Sequence, residues 1–164
     1  MKIYIESGYF HSINAIMGKT MNFLVLHGVN LNMFGHRDKK QYGTATFAQI
    51  NTAIENLAME LGVGVEIFQS NHEGEMVERI HAALAENFSG ILINAGAWTH
   101  YSYAIADALA ILSVPIVEIH MSNVHAREDF RHKSVLSNVA RGSIAGFGVE
   151  SYLLGLRAAI SLAS

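Results

Sequence analysis

Short apolar runs that alternate with segments of helical period constrain this chain more than any other feature. Phe23-Leu24-Val25-Leu26 has no polar break, the pattern of a strand covered on both faces. Thr46-x-x-Gln49 reads as a capping box that opens a helix. Phe47, Ile50, Ile54, Leu57 and Leu61 then recur at helical spacing, and Gly62 ends the run. Residues 63–68 alternate like a second strand, and Met76, Val77, Ile80 and Leu84 mark a second helix. A third strand is expected at 91–93, a third helical stretch at 100–112 and a fourth strand at 116–119, opened by Pro115. Residues 143–147 and 152–162 complete the series as strand and helix. Strands that alternate with helices imply βαβ units with right-handed crossovers. The expected fold is therefore α/β, a flavodoxin-like three-layer sandwich with a five-stranded parallel sheet. We expect one domain over 21–164, with 1–20 as an N-terminal extension or a mis-assigned start.

Composition narrows the chemistry. The chain of 164 residues contains no cysteine, which removes disulfide scaffolds, thiolate metal sites and cysteine nucleophiles, and suits a reducing, cytoplasmic setting. Its formal net charge is −3, without a basic stripe, so nucleic acid is not an expected partner. No apolar run reaches the ~20 residues of a membrane span. Apolar residues make up 51% and charged ones 15%, a balance that favours a homo-oligomer hiding part of its surface.

In parallel sheets of this kind ligands bind beyond the carboxyl ends of the strands. Four successive strand ends here are loaded with polar side chains. They carry Asn30 with Arg37 and Tyr42, then Gln69 to His72, then Asn94 to His100, and finally Glu118 to His132. A phosphate-cradling GxxxxGK[ST] or GxGxxG loop is absent, as is a GxSxG elbow. His120, His125 and His132 do not form a recognisable ligand set such as HExxH, so no metal and no organic cofactor are expected. Tyr, Arg, His, Asn and carboxylates remain, a set suited to proton abstraction beside a carbonyl with general acid assistance.

Several segments together resemble the type II 3-dehydroquinate dehydratases. They are Asn30-Leu31-Asn32, Arg37 with Tyr42-Gly43, Gln69-Ser70-Asn71-His72-Glu73-Gly74, Thr99-His100 and the run from Glu118 through His120, Ser122-Asn123-Val124-His125-Ala126-Arg127 to Phe130-Arg131-His132. The resemblance implies conversion of 3-dehydroquinate to 3-dehydroshikimate by a dodecamer built as a tetramer of trimers. It implies Tyr42 as general base, Arg37 as its activator on a mobile loop, and Asn30 holding a water against the enolate oxygen. It also implies His120 as general acid, oriented by Glu118. Asn94, His100, Met121 through its amide, Ser122 and Arg131 match substrate-binding positions. Asp107 matches a carboxylate that reaches a neighbouring subunit's site.

These roles are physically reasonable. A free phenol has a pKa of about 10, and bringing it near 7 requires about 4 kcal/mol of differential stabilisation. One close cation shifts a pKa by roughly 1 to 3 units, and arginine stays protonated beside a base. Glu118 and His120, two apart on a strand, project to the same face. The chain also departs from the family pattern. His27-Gly28-Val29-Asn30 stands where Asn-Gly-Pro-Asn is usual, and Arg37-Asp38-Lys39 where Arg-Glu-Pro is usual. Tyr101-Ser102 replaces Thr-Ser, and Ala106 replaces an arginine. These departures bear on substrate affinity and trimer contacts more than on the chemistry. The alternative reading is a weakly active or inactive relative that binds a shikimate-like acid.

Overall fold

The computed structural model describes residues 20–36 and 43–164. Five parallel strands form its sheet, β1 (Asn22–His27), β2 (Gly64–Gln69), β3 (Gly90–Asn94), β4 (Ile116–His120) and β5 (Gly142–Ala145), in the order β2-β1-β3-β4-β5. Among the described residues four helices cover it, α1 (Phe47–Glu60), α2 (Glu73–Ala82), α3 (Tyr103–Ala110) and α4 (Glu150–Ala163). This is the flavodoxin-like strand order.

Alternation along the strands sorts the core into two layers. Phe23, Val25, Leu92, Val117 and Ile119 pack under α1 and α4 with Ile50, Ile54, Tyr152 and Leu156. Leu24, Leu26, Ile91, Ile93 and Ile116 pack under α2 and α3 with Met76, Ile80, Ile105 and Leu109. Both faces are apolar; His27, Asn94 and His120 stand at the carboxyl ends of β1, β3 and β4, with Glu118 buried within β4. There the sheet reverses its direction of growth between β1 and β3, and a crevice opens.

Local chemistry sets the helix ends. Gln49 N–H donates to Thr46 Oγ1 at 3.3 Å, and Thr46 N–H donates back to Gln49 Oε1 at 2.9 Å. At the other end Gly62 takes φ +69, Gly62 N–H donates to Met59 O at 3.2 Å and Val63 N–H to Ala58 O at 3.0 Å. That pair of bonds is a Schellman closure, which a residue with a Cβ adopts only under strain.

Three boundaries differ from expectation. β5 spans Gly142–Ala145, and the chain turns at Gly146 (φ +99), leaving Phe147 exposed. The third helical stretch divides into a 3-10 turn at Gly96–His100 and α3, whose start is set by Ser102 Oγ accepting from Ile105 N–H. Leu84 falls in a 3-10 turn, Ala83–Ala85, that follows α2. The tighter turn places Ala83 in the core and leaves Leu84 outside.

Thr46→Ala removes one half of the capping box. It should cost about 1 kcal/mol, read as a lower urea midpoint with an unchanged denaturant slope.

Candidate active site

Three strand ends converge on one cleft of about 140 Å³. From the loop after β1 come Val29, Asn30, Leu31 and Phe34; from β3 and its exit come Asn94, Gly96, Ala97 and His100. From β4 and its exit come His120, Met121, Ser122, Val124, Arg127 and Arg131. The loops fit tightly: a Cβ on Gly28 would collide with the backbone of Ala95.

Asn30 sits at φ 65, the one non-glycine in the left-handed region among the described residues. Asparagine tolerates that region better than most residues. Its N–H donates to Asn71 Oδ1 at 2.8 Å, and Gln69 Nε2 donates to the same oxygen at 3.2 Å. The segment after β2 therefore braces the loop after β1 and supplies no lining residue of the cleft.

Glu118 lies almost wholly inside the protein, 1% exposed. His120 Nε2–H donates to Glu118 Oε1 at 2.7 Å. Ser134 Oγ lies 2.8 and 2.9 Å from the two carboxylate oxygens and donates to that pair. A carboxylate facing Nε2 fixes the ring and leaves Nδ1 as its second proton-exchange position. The expected pairing of Glu118 with His120 on one strand face is what the structure contains. Ser134 had no signal in the sequence, because it returns to the strand from a loop that follows the recognisable motif.

His100 Nδ1–H donates to the Lys133 carbonyl at 2.8 Å. Partial burial, the strongest influence, lowers its pKa below the ordinary histidine value, against the opposing pull of that carbonyl. In its neutral form the free Nε2 is an acceptor.

Arg127 and Arg131 both pair with the Glu128 carboxylate, at 3.3 and 3.0 Å, and both line the cleft. Cleft-lining side chains that carry formal charge are thus arginines, with histidines beside them, which suits an anionic ligand. The Arg127 side chain reaches Ser122 Oγ at 3.4 Å. Arg127, read in the sequence only as part of the matched run, forms part of the cleft wall.

Behind the cleft, under α1 and α4, Asn94 Nδ2 donates to Tyr152 Oη at 2.9 Å, and Tyr152 Oη lies 2.8 Å from His27 Nδ1. His27 is fully buried, and desolvation pushes its pKa down to about 3. Burial pushes the Tyr152 phenol well above its ordinary range.

Of the sequence-predicted residues, Asn30, Asn94, His100, His120, Met121, Ser122 and Arg131 line this one cleft, with Glu118 directly behind His120. Asp107 is exposed on α3 and is not among the residues lining the cleft of its own chain. Arg37 and Tyr42 lie outside the described residues. Trp98 packs into the core. Among the described residues, no three His, Asp or Glu side chains gather as a metal-ligand set, and no helix is long and apolar enough to cross a membrane.

Residues 21–160 match the family model described as dehydroquinase class II. The 3-dehydroquinate dehydratase of Leptothrix cholodnii is 68% identical over 142 residues, covering 87% of this chain and 95% of the relative. That of Syntrophotalea carbinolica is 66% identical over 139 residues, covering 85% and 94%. Among solved structures, the type II dehydroquinase from Butyrivibrio crossotus superposes with a TM-score of 0.85 at 42% identity, covering 87% of this chain and 99% of the other.

The buried His27 has a consequence for stability. Its pKa is depressed on folding, so its contribution is complete above the unfolded value of 6.5 and is lost as pH falls toward about 3. The wild type should lose roughly 4 kcal/mol from this group by pH 3. Denaturant titrations of His27→Asn across that window should show a correspondingly flatter pH dependence.

Proposed function

Since this chain belongs to the class II dehydroquinase family, a family of hydro-lyases, we propose that it converts 3-dehydroquinate to 3-dehydroshikimate and water by an anti elimination that uses no metal. Tyr42, as phenolate beside Arg37, takes a proton from the carbon next to the ketone. The electron pair moves into the carbonyl to form an enolate, and Asn30 with a fixed water holds the enolate oxygen. The enolate then collapses and the adjacent C–O bond breaks. His120 gives its proton to the departing hydroxyl, which leaves as water.

The observation that supports this reading best is the His120 pair at the mouth of β4. A proton donor beside a leaving group must be held in one orientation, and Glu118 braced by Ser134 holds this one. Arg131, Ser122, Asn94, His100 and the Met121 amide bind the carboxylate and hydroxyls of the substrate. Phe34 lines the cleft, and Gly43 lines an adjoining cavity that shares Met121, Ser122 and Arg127 with it. The described chain on both sides of Arg37 and Tyr42 thus borders the site.

We also propose a homo-oligomer, a dodecamer built from trimers, in which Asp107 serves a neighbouring protomer's cleft. Tyr101, Tyr103 and Phe130 are exposed, apolar surface that a second copy would cover. Phe130 packs edge-on against His100 at 5.8 Å, next to the cleft. The cysteine-free sequence suits the cytoplasm, where we place the enzyme.

Purified protein mixed with 3-dehydroquinate should develop the ultraviolet absorbance of a conjugated enone. Binding without turnover would favour a relative that only holds shikimate-like acids. Tyr42→Phe should lower kcat by at least about a hundredfold with the fold unchanged by circular dichroism. A near-normal rate in that variant would remove Tyr42 as the base.

A further inference from the structure

We propose that His27 and Tyr152 are positioning residues which fix the orientation of the Asn94 carboxamide at the wall of the cleft. The inference rests on the reading of Asn94 as a substrate-binding residue.

The Asn94 amide is tied at both ends. Its Oδ1 accepts from Gly96 N–H at 3.2 Å, and its Nδ2 donates to Tyr152 Oη at 2.9 Å. A carboxamide has two N–H donors and an oxygen with two lone pairs. One donor and one lone pair therefore remain for a ligand in the cleft that Asn94 lines.

Hydrogen-bond arithmetic then orders the protons behind it. Gly96 N–H can only donate, so the amide oxygen must face it and Nδ2 must face Tyr152. Tyr152 Oη accepts from Asn94, and its single proton is left for His27 Nδ1 at 2.8 Å. His27 must offer a lone pair at Nδ1, so its proton sits on Nε2. The Asn51 side chain favours the protonated ring, but burial outweighs it. Nε2 of His27 and Oδ1 of Asn51 are both buried with no hydrogen-bond partner of good geometry among the described residues.

The pieces come from separate elements. His27 ends β1, Asn94 ends β3, Tyr152 belongs to α4, and Phe47 of α1 stands edge-on to the imidazole at 5.0 Å. His27 and Tyr152 are both fully buried and neither lines the cleft, so they act on a ligand only through Asn94. A protonated His27 would break the order, because Nδ1–H would compete with the Tyr152 proton for the same space. Its depressed basicity keeps the ring neutral.

Nitrogen-15 spectra of the ligand-free, histidine-labelled wild type test the proton order without reference to any reaction. A neutral ring protonated at Nε2 and accepting at Nδ1 is expected at neutral pH. Protonation at Nδ1 would overturn the proposal. Steady-state kinetics with 3-dehydroquinate test the consequence. Tyr152→Phe and His27→Leu should each raise KM about tenfold, with kcat changed far less. The double variant should be no worse than either single one, since both act through one chain of bonds. His27→Asn should restore KM, because Asn Oδ1 stands where Nδ1 stood and accepts the same proton. A folded Tyr152→Phe with wild-type KM, or equal losses in His27→Asn and His27→Leu, would contradict the positioning role. If the wild type does not turn over 3-dehydroquinate, the functional reading fails, and the imidazole spectrum still decides the proton order.

Discussion

A carboxylate buried in a central strand is costly unless its oxygens are satisfied, and Glu118 is such a group. Its place in β4, between Val117 and Ile119 on the opposite face, is fixed by the pleat of the sheet. His120 and Ser134 satisfy it. That requirement ties the end of β4 to the loop approaching β5, and so shapes one wall of the cleft. Removing the Glu118 carboxylate would free the His120 ring and leave Ser134 without its acceptor.

Fixed hydrogen-bond partners govern the other histidines in the same way. The Lys133 carbonyl holds the Nδ1 proton of His100 and leaves Nε2 as an acceptor. In the relay behind Asn94, the Tyr152 hydroxyl leaves His27 with its proton on the opposite nitrogen. Three imidazoles thus have distinct surroundings: His120 against a carboxylate, His100 against a carbonyl, and His27 against a phenol in the core. The sheet makes this possible by drawing on both layers. Glu118 and Ser134 reach His120 from the α2–α3 side, while His27 and Tyr152 reach Asn94 from the α1–α4 side.

Much of the fold was legible because β1 and β3 are covered on both faces and read as unbroken apolar runs, and Pro115 marks the start of β4. The capping box at Thr46 and the glycine closure at Gly62 mark α1 for equally local reasons. Where local pattern competes with geometry, the reading slipped. The glycine turn after Ala145 ends β5 early, and the 3-10 turn after α2 rotates Leu84 outward. At the site, residues within the continuous motif from Glu118 to Arg131 could be found because that run resembles the family's motif. Ser134, Tyr152 and His27 could not be linked to the site in that way. Their contacts join positions 16, 58 and 125 residues apart, and no local spacing encodes such pairs.

The central claim is that the carboxyl ends of β1, β3 and β4 form a single binding site for a small hydroxy-acid. A crystal structure with bound shikimate, which lacks the ketone and cannot undergo the reaction, tests it most directly. The acid should lie between Asn30 and His120, with its polar groups against Asn94, Ser122 and Arg131. An acid seated instead in the cavity formed by Leu109, Pro115 and Arg141, at the opposite end of the sheet, would contradict the account.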